Sequence, residues 1–405
     1  MHDSIPDAYA GVDWAVDAHA VCVVDVAGRV VVEFDVEHTA AGLDQLCRCV
    51  KHAGARRVAI ERPDGPVVDA IFEAGLEVVV VSSRSVKALR ERYGTSGNKS
   101  DRSDAYVLAD CLRTDGHRWP SLEPDGPATV TLRAHVRARK DLVEHRVAVA
   151  NQLRAHLRVV FPGAVGLFRD LDSQISLRFL QRFPSASHAA RLSPKRLHTW
   201  LQTSHYSGAT SAAELHRRLL DAPAGVLGDN GDARSTVTLT YVAVLNTLRT
   251  QINELDTRLE VLLDAHPDAH IFRSLPRCAT IRAATLLAEI GDCRARFPDP
   301  ESLACLAGVA PSTRTSGRHR SVTFRFASDK KLRDAICDFA GDSWQGNAWA
   351  AARYRQLRAD GKTHPHAERI LARSWTHIIW RCWQDHTTYD PTRHGAHQRL
   401  LDTAA

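Results

Sequence analysis

The stretch YAGVDWAVDAHAVCVVDVAGRVVVEF, residues 9–34, reads as two β-rich runs joined at Ala27-Gly28-Arg29. Small and β-branched residues fill both runs, and the glycine suits a tight reversal, so a β-hairpin is predicted. Asp13 stands in the first run, where apolar residues give way to polar ones; Asp17, four residues on, has the same strand parity. Working outward, Leu43, Leu46, Cys47 and Val50 share one stripe of a helix over 40–54. RRVAIE (56–61) is a short buried strand ending in Glu61, DAIFEAG (69–75) a helix stopped by Gly75, and EVVVVSS (77–83) a further strand. Strands interleaved with helices predict an α/β domain with a partly parallel sheet.

At 405 residues the chain is long enough for two or three domains. Its 44% hydrophobic and 25% charged residues are ordinary globular values, which excludes a disordered scaffold. A formal net charge of +6 favours a polyanionic partner. Nine scattered Cys without a C-x-x-C pair exclude a cysteine zinc site, and with no secretory or bilayer-length apolar run the expectation is a soluble cytoplasmic protein with no membrane partner.

Beyond Pro127 the pattern changes to long helices. Val143, Val147, Ala150, Leu153 and Leu157 form one stripe, and DAPAGVLGDNGDAR (221–234) reads as a flexible loop. Leu245, Leu248, Ile252, Leu255, Leu259 and Leu262 keep a heptad, which fits a coiled coil within or between chains and equally a helix packed on its own domain. From about Ser274 the composition shifts again, and Trp344, Trp349, Trp375, Trp380 and Trp383 fall at spacings that favour a packed core over base stacking.

Two carboxylates end strands, Asp13 and Glu61, and strand ends are where α/β sheets place ligands. GNKSDRSDAY (97–106) adds Asp101 and Asp104 at the start of a helix continued by Leu108 and Leu112, so the aspartates lie on or beside its packed face. Buried carboxylates call for a divalent cation; Asp101 also reads as a helix-dipole complement with Ser100 as cap. A carboxylate on a first strand, one on a later strand and a pair on a helix look like the ribonuclease-H-like fold of RuvC-type nucleases.

The ordered motifs GVDWAVDAHAVCVVDVAG (11–28), IERPDG (60–65), NKSDRSDAYVLADCLR (98–113), LLAEIGD (286–292), RFPDPESLACLAGVAPSTRTSG (296–317), KLRDAICDFA (331–340) and YRQLRADGK (354–362) resemble the DEDD insertion-sequence transposases, related to the pilin-gene invertase. That resemblance implies a ribonuclease-H-like (RuvC-like) α/β domain over 1–127, a helical coiled-coil region for nucleic-acid binding and oligomerisation over 128–270, and a mainly helical transposase domain over 271–405. It implies a metal site of Asp13, Glu61, Asp101 and Asp104 for two Mg²⁺ ions, or Mn²⁺. The nucleophilic serine maps to Ser316, with Ser312 second. Implied partners are double-stranded DNA, a guide (bridge) RNA and further copies of the chain, as dimers joining into tetramers. Two departures stand out: LPRCATIRAA (275–284) lacks the family's Gly-rich hairpin, and ERPDG differs from the commoner pattern after the glutamate.

Charge supports the same picture. Residues 311–335 hold Arg314, Arg318, Arg320, Arg325, Lys330, Lys331 and Arg333 against two aspartates, and Gly317 permits close approach to a phosphate. Residues 131–160 hold Arg133, Arg137, Arg139, Lys140, Arg146, Arg154 and Arg158 against Asp141 and Glu144. Phosphate binding follows from such charge, although a solvated helix face has the same composition. Two other readings remain: a metal-dependent junction nuclease that uses water, and a non-catalytic RNA- or DNA-binding protein. An actin-like sugar kinase would need a Gly-rich adenosine loop that the sequence does not contain.

Overall fold

The turn read at residues 27–29 joins β2 (Ala18–Asp25) to β3 (Val30–Glu37), whereas the run before it, read as one, divides into β1 (Ala8–Trp14) and β2; β1 pairs antiparallel with β2, and β2 with β3. The computed structural model describes residues 8–90, 100–226, 229–317, 319–396 and 398. The chain divides into two compact units, Met1–Pro124 and Asp125–Ala405.

In the first unit β4 (Ala55–Ile60) lies parallel to β1 and β5 (Glu77–Val80) parallel to β4, giving the five-stranded order β3-β2-β1-β4-β5. Strand alternation sorts the residues onto two faces. Ala8, Ala10, Val12, Val58 and Ile60 pack against α1 (Ala40–His52) and α2 (Pro66–Glu73) through Leu46, Val50, Val68 and Ile71. The opposite face, with Tyr9, Ala20, Cys22, Val24 and Ala59, receives α3 (Ser83–Arg90) and α4 (Asp101–Asp115) through Val86, Ala105, Leu108, Ala109 and Leu112. Gly11 lets α4 ride directly on β1. A Cβ there would lie 2.8 Å from Leu108 Cβ and nearer still to the Ala105 carbonyl oxygen and the Ala109 nitrogen. This mixed α/β layer is consistent with a ribonuclease-H-like domain.

The second unit is built around α5 (Pro127–Val160) and α10 (Asp229–Asp264), which run antiparallel. Thr129 Oγ1 meets His266 Nε2 at 2.8 Å at one end, and His156 Nε2 meets Thr238 Oγ1 at 3.0 Å at the other. Between them come α6 (Gln174–Arg182), α7 (Ala186–Ala189), α8 (Pro194–Thr203) and α9 (Ala212–Asp221). After them follow α11 (Ala269–Arg273), α12 (Thr280–Ile290), α13 (Pro300–Leu306), the hairpin β6 (Ser312–Ser316) with β7 (His319–Thr323), α14 (Lys330–Ser343), α15 (Ala348–Ala359) and α16 (His364–Gln384).

Two cores share the long helices. Leu153 and Leu157 of α5 and Val242 and Leu245 of α10 face α6, α8 and α9, whereas Leu132, Val136, Leu259 and Leu263 join the core of α11–α16. Segments 128–270 and 271–405 therefore interlock within one unit. Val147, read as part of a continuous stripe, is exposed because α5 passes there from one core to the other. The 221–234 loop reading holds for residues 222–226, and Leu227 and Gly228 lie outside the described residues; it is corrected from Asp229, where α10 begins, and with Ser235 and Thr238 buried further along that helix, packing overrides the Gly- and Asp-rich composition. The heptad lies within this intrachain pair: Leu245, Ile252 and Leu259 are buried, and Leu248, Leu255 and Leu262 half-buried.

The tryptophans are structural. Trp375 and Trp383 are fully buried; Trp375 donates to Ser343 Oγ at 2.8 Å and Trp380 to the Phe297 carbonyl at 2.8 Å. Where the family's Gly-rich turn is missing, Arg277 itself takes the left-handed conformation at φ +54°, a position that ordinarily favours glycine. Among the described residues no helix is long and apolar enough to cross a membrane.

Candidate functional site: an acidic sheet edge and a serine-tipped hairpin

Asp13 and Glu61 reach the same end of the sheet because β1 and β4 are parallel and Val12 pairs with Ile60. Asp13 follows Gly11 in strand parity and so belongs to the α4 face; Glu61, read as the last residue of its strand, stands one residue past the end of β4. Arg62 tethers the two strand ends, its guanidinium 4.3 Å from the Trp14 ring centroid.

The other two carboxylates come to this edge through the direction of α4. Its C-terminal end lies at the start of β4, where Arg57 donates to the Gly116 and Trp119 carbonyls at 3.1 and 2.9 Å. Its first turn lies level with Asp13: that residue pairs with Ala20, Ala20 with Asp35, and Arg102 of α4 donates to Asp35 at 2.7 Å. The cap reading is also satisfied, since Ser100 Oγ accepts from the Ser103 N–H at 3.2 Å. Asp101 is exposed, whereas Asp104 is only 2% exposed. Arg90 donates to Asp104 Oδ2, and Oδ1 is buried with no hydrogen-bond partner among the described residues. Asp17 drops out as the rival of Asp13, because β1 ends at Trp14 and leaves Asp17 exposed in the turn.

A set of hard oxygen donors with one buried, unsatisfied carboxylate oxygen suits Mg²⁺ or Mn²⁺ chemically. As they stand, however, no three His, Cys, Asp or Glu side chains among the described residues group closely enough to hold a metal ion. Arg90, which spacing in the sequence gave no reason to single out, supplies the positive charge that buried Asp104 requires.

In the second unit Ser316 ends β6 at the tip of the hairpin, opposite His319, and is exposed. Gly317 follows at φ +56°, and Arg314 is exposed on the same strand. Ser312 is half-buried at the hairpin base, where its carbonyl accepts from Thr323 Oγ1 at 3.4 Å. Arg318 lies outside the described residues, and Arg320 falls in β7. Lys330 and Lys331 open α14 behind the Asp329 cap, whose carboxylate accepts from the Lys331 N–H at 2.9 Å.

Of the seven basic residues named on α5, Arg133, Arg137, Arg139 and Lys140 are engaged inside the unit. Arg133 donates to buried Asp125 and, at 2.6 Å, to the Ala288 carbonyl. Arg137 forms a bidentate pair with Glu289 at 3.0 and 2.8 Å, Arg139 binds Asp256, and Lys140 binds Asp334 at 3.0 Å. Most of their charge is thus answered locally, which the charge count along the helix could not reveal.

Two family models match the chain: one described as a transposase, of the DEDD type, over residues 10–162, and one described as the IS116/IS110/IS902 transposase family over 269–355. Together they mark the chain as a transposase. It is 31% identical to a mini-circle putative transposase for IS117 of Streptomyces coelicolor, over 98% of each chain. Similarity extends to a putative transposase, y4uE, of Sinorhizobium fredii, 33% identical over 45% of this chain and 53% of that one. An uncharacterized 44.8 kDa protein of insertion element IS116 from Streptomyces clavuligerus is 26% identical over 96% of this chain and 97% of its own. The chain belongs to the IS116/IS110/IS902 family of transposases, and its general activity is DNA transposition, the breaking and rejoining of DNA.

Proposed function

We propose that this transposase breaks DNA at the ends of its insertion element through Ser316, with Asp13, Glu61, Asp101 and Asp104 holding two Mg²⁺ or Mn²⁺ ions. What supports the reading is that Asp13 and Glu61 stand at one end of the sheet and the first turn of α4, with Asp101 and Asp104, lies level with it, Asp104 Oδ1 being buried without a hydrogen-bond partner among the described residues. Divalent cations bound there would neutralise phosphate charge and favour ionisation of an attacking oxygen.

The Ser316 hydroxyl attacks phosphorus; its proton passes to solvent or a base, the Ser–O–P bond forms, and the bond to the departing strand's deoxyribose oxygen breaks and that oxygen is protonated. A hydroxyl of the recipient strand then attacks the phosphoserine and releases the serine. Serine is a poor nucleophile alone. An exposed hairpin tip with Gly317 beside it and Arg314 on the same strand suits delivery to a phosphate, and the acidic edge that activates it can come from another protomer in a dimer or tetramer. Target choice is assigned to a bridge RNA paired with DNA, with Lys330 and Lys331 among the phosphate contacts.

The test incubates protein, Mg²⁺, RNA transcribed from the flanks of the gene and DNA carrying the element's ends, and scores a denaturant-resistant protein–DNA adduct. An adduct is expected for the wild type and for Ser312→Ala, and none for Ser316→Ala or Asp101→Ala. Cleavage without an adduct would instead identify a water-using nuclease.

A further inference from the structure

Leaving β7, the chain carries two phenylalanines past the N-terminal half of α16. Phe326 is 83% exposed and Phe324 41% exposed. They border a cavity of about 740 Å³ whose far wall presents Lys362, His366, Arg369 and Arg373. Among the described residues no Asp or Glu lines it. The Arg369 guanidinium lies 4.1 Å from the Phe324 ring centroid, and the His366 ring meets Phe324 edge-on at 5.2 Å. Arg373 is held by Glu301 at 3.2 and 3.0 Å, so its charge is partly answered. Arg369 differs: its Nε is buried with no hydrogen-bond partner among the described residues.

Two large apolar rings left in solvent beside a buried, unpaired donor mark a surface built for an occupant. A second copy of the chain is the poorer fit, because copies of net charge +6 repel one another and this wall adds cations of which Glu301 answers only Arg373. Paired DNA would meet the cations through phosphate but keep its base faces stacked away from the rings. An unpaired strand satisfies both features, since bases stack on aromatic faces while phosphates take the cations.

We propose that this groove holds an unpaired DNA strand beside the reacting phosphate, Phe326 stacking a base and Arg369 and Lys362 contacting the backbone. The assignment of the ligand as DNA rests on the reading of Ser316 as the reacting residue. From the Ser312–Thr323 pair at the hairpin base to Ser316 there are four residues. At ~3.3 Å each they set Ser316 about 13 Å from the hairpin base that borders the groove.

The experiment measures anisotropy of a labelled oligothymidylate, an oligouridylate and a DNA duplex with the full-length protein. Phe326→Ala is expected to weaken oligothymidylate binding roughly ten- to hundred-fold, with duplex binding nearly unchanged and Phe326→Trp restoring the affinity. Arg369→Ala is expected to weaken the same binding and to flatten its salt dependence. Wild-type affinity in Phe326→Ala, equal losses on strand and duplex, or a clear preference for the ribo-oligomer would overturn the proposal. So would a shift in sedimentation of Phe326→Ala with oligonucleotide binding intact, which assigns the patch to self-association. The adduct assay is scored separately. Loss of strand binding in Phe326→Ala with no wild-type adduct keeps the groove and removes the phosphoserine reading; an adduct with unchanged strand binding removes the groove alone.

Discussion

Asp104 is the residue on which the acidic edge turns. A carboxylate this buried is tolerated because Arg90 neutralises it, and removing one member of a buried pair costs roughly 3–5 kcal/mol when nothing replaces it. Arg90→Gln is thus expected to lower the melting temperature in a chelator and to regain stability with millimolar Mg²⁺ or Mn²⁺, since a ligand of the folded state stabilises by mass action. Scanning calorimetry with and without the ion checks this; an identical deficit in both conditions would rule out a cation at Asp104. Asp13, Glu61, Asp101 and Asp104 were legible as candidates in the sequence because strand ends and a helix start are local patterns. Arg90 was not, because nothing local joins it to a helix residue fourteen positions away. The charge of Arg137, Arg139 and Lys140 was visible, but their acidic partners Glu289, Asp256 and Asp334 stand more than a hundred residues along the chain and could not be read locally.

At the scale of elements, the contact of α4 with β1 decides whether Asp101 and Asp104 reach the level of Asp13. Gly11 makes the contact backbone to side-chain base, so Gly11→Ala must push α4 outward or strain the strand. A loss of about 1–3 kcal/mol is expected, typical of overpacking. Transposition should fall much further than stability does, because displacement by an ångström in a positioned site is costly. Urea unfolding alongside a transposition assay checks both; full activity in Gly11→Ala would mean that the helix position is unimportant. The β-hairpin and the α/β order were readable because alternation and glycine placement encode them. The start of α10 was not, since DNGDAR is locally loop-like and becomes helical only where Ser235 and Thr238 bury against α5.

At the scale of the molecule, each unit has its own cores, so thermal unfolding is expected in two transitions. Asp125 provides a mark for the second. Burial alone would raise its carboxyl, but Arg296 and Arg133 beside it, together with the Cys293 N–H, hold it below the usual carboxylate range. A folded-state value below the unfolded one gives stability that is present above the ordinary carboxylate range and lost as pH falls through the depressed value. Asp125→Asn should lower only the second transition at neutral pH, by about 3 kcal/mol, and should flatten its acid limb; movement of both transitions would contradict independent units. The long helices shared by the second unit's two cores carry a further consequence, in mechanical terms. With ~3.6 residues per turn, one residue inserted near Val147 would rotate everything beyond it by about 100°. The helix would then seat one core correctly and present the wrong flank to the other, much as a camshaft cut at mid-length loses its timing. A residue added between α8 and α9, in the exposed stretch 207–209, alters chiefly the slack of a connection.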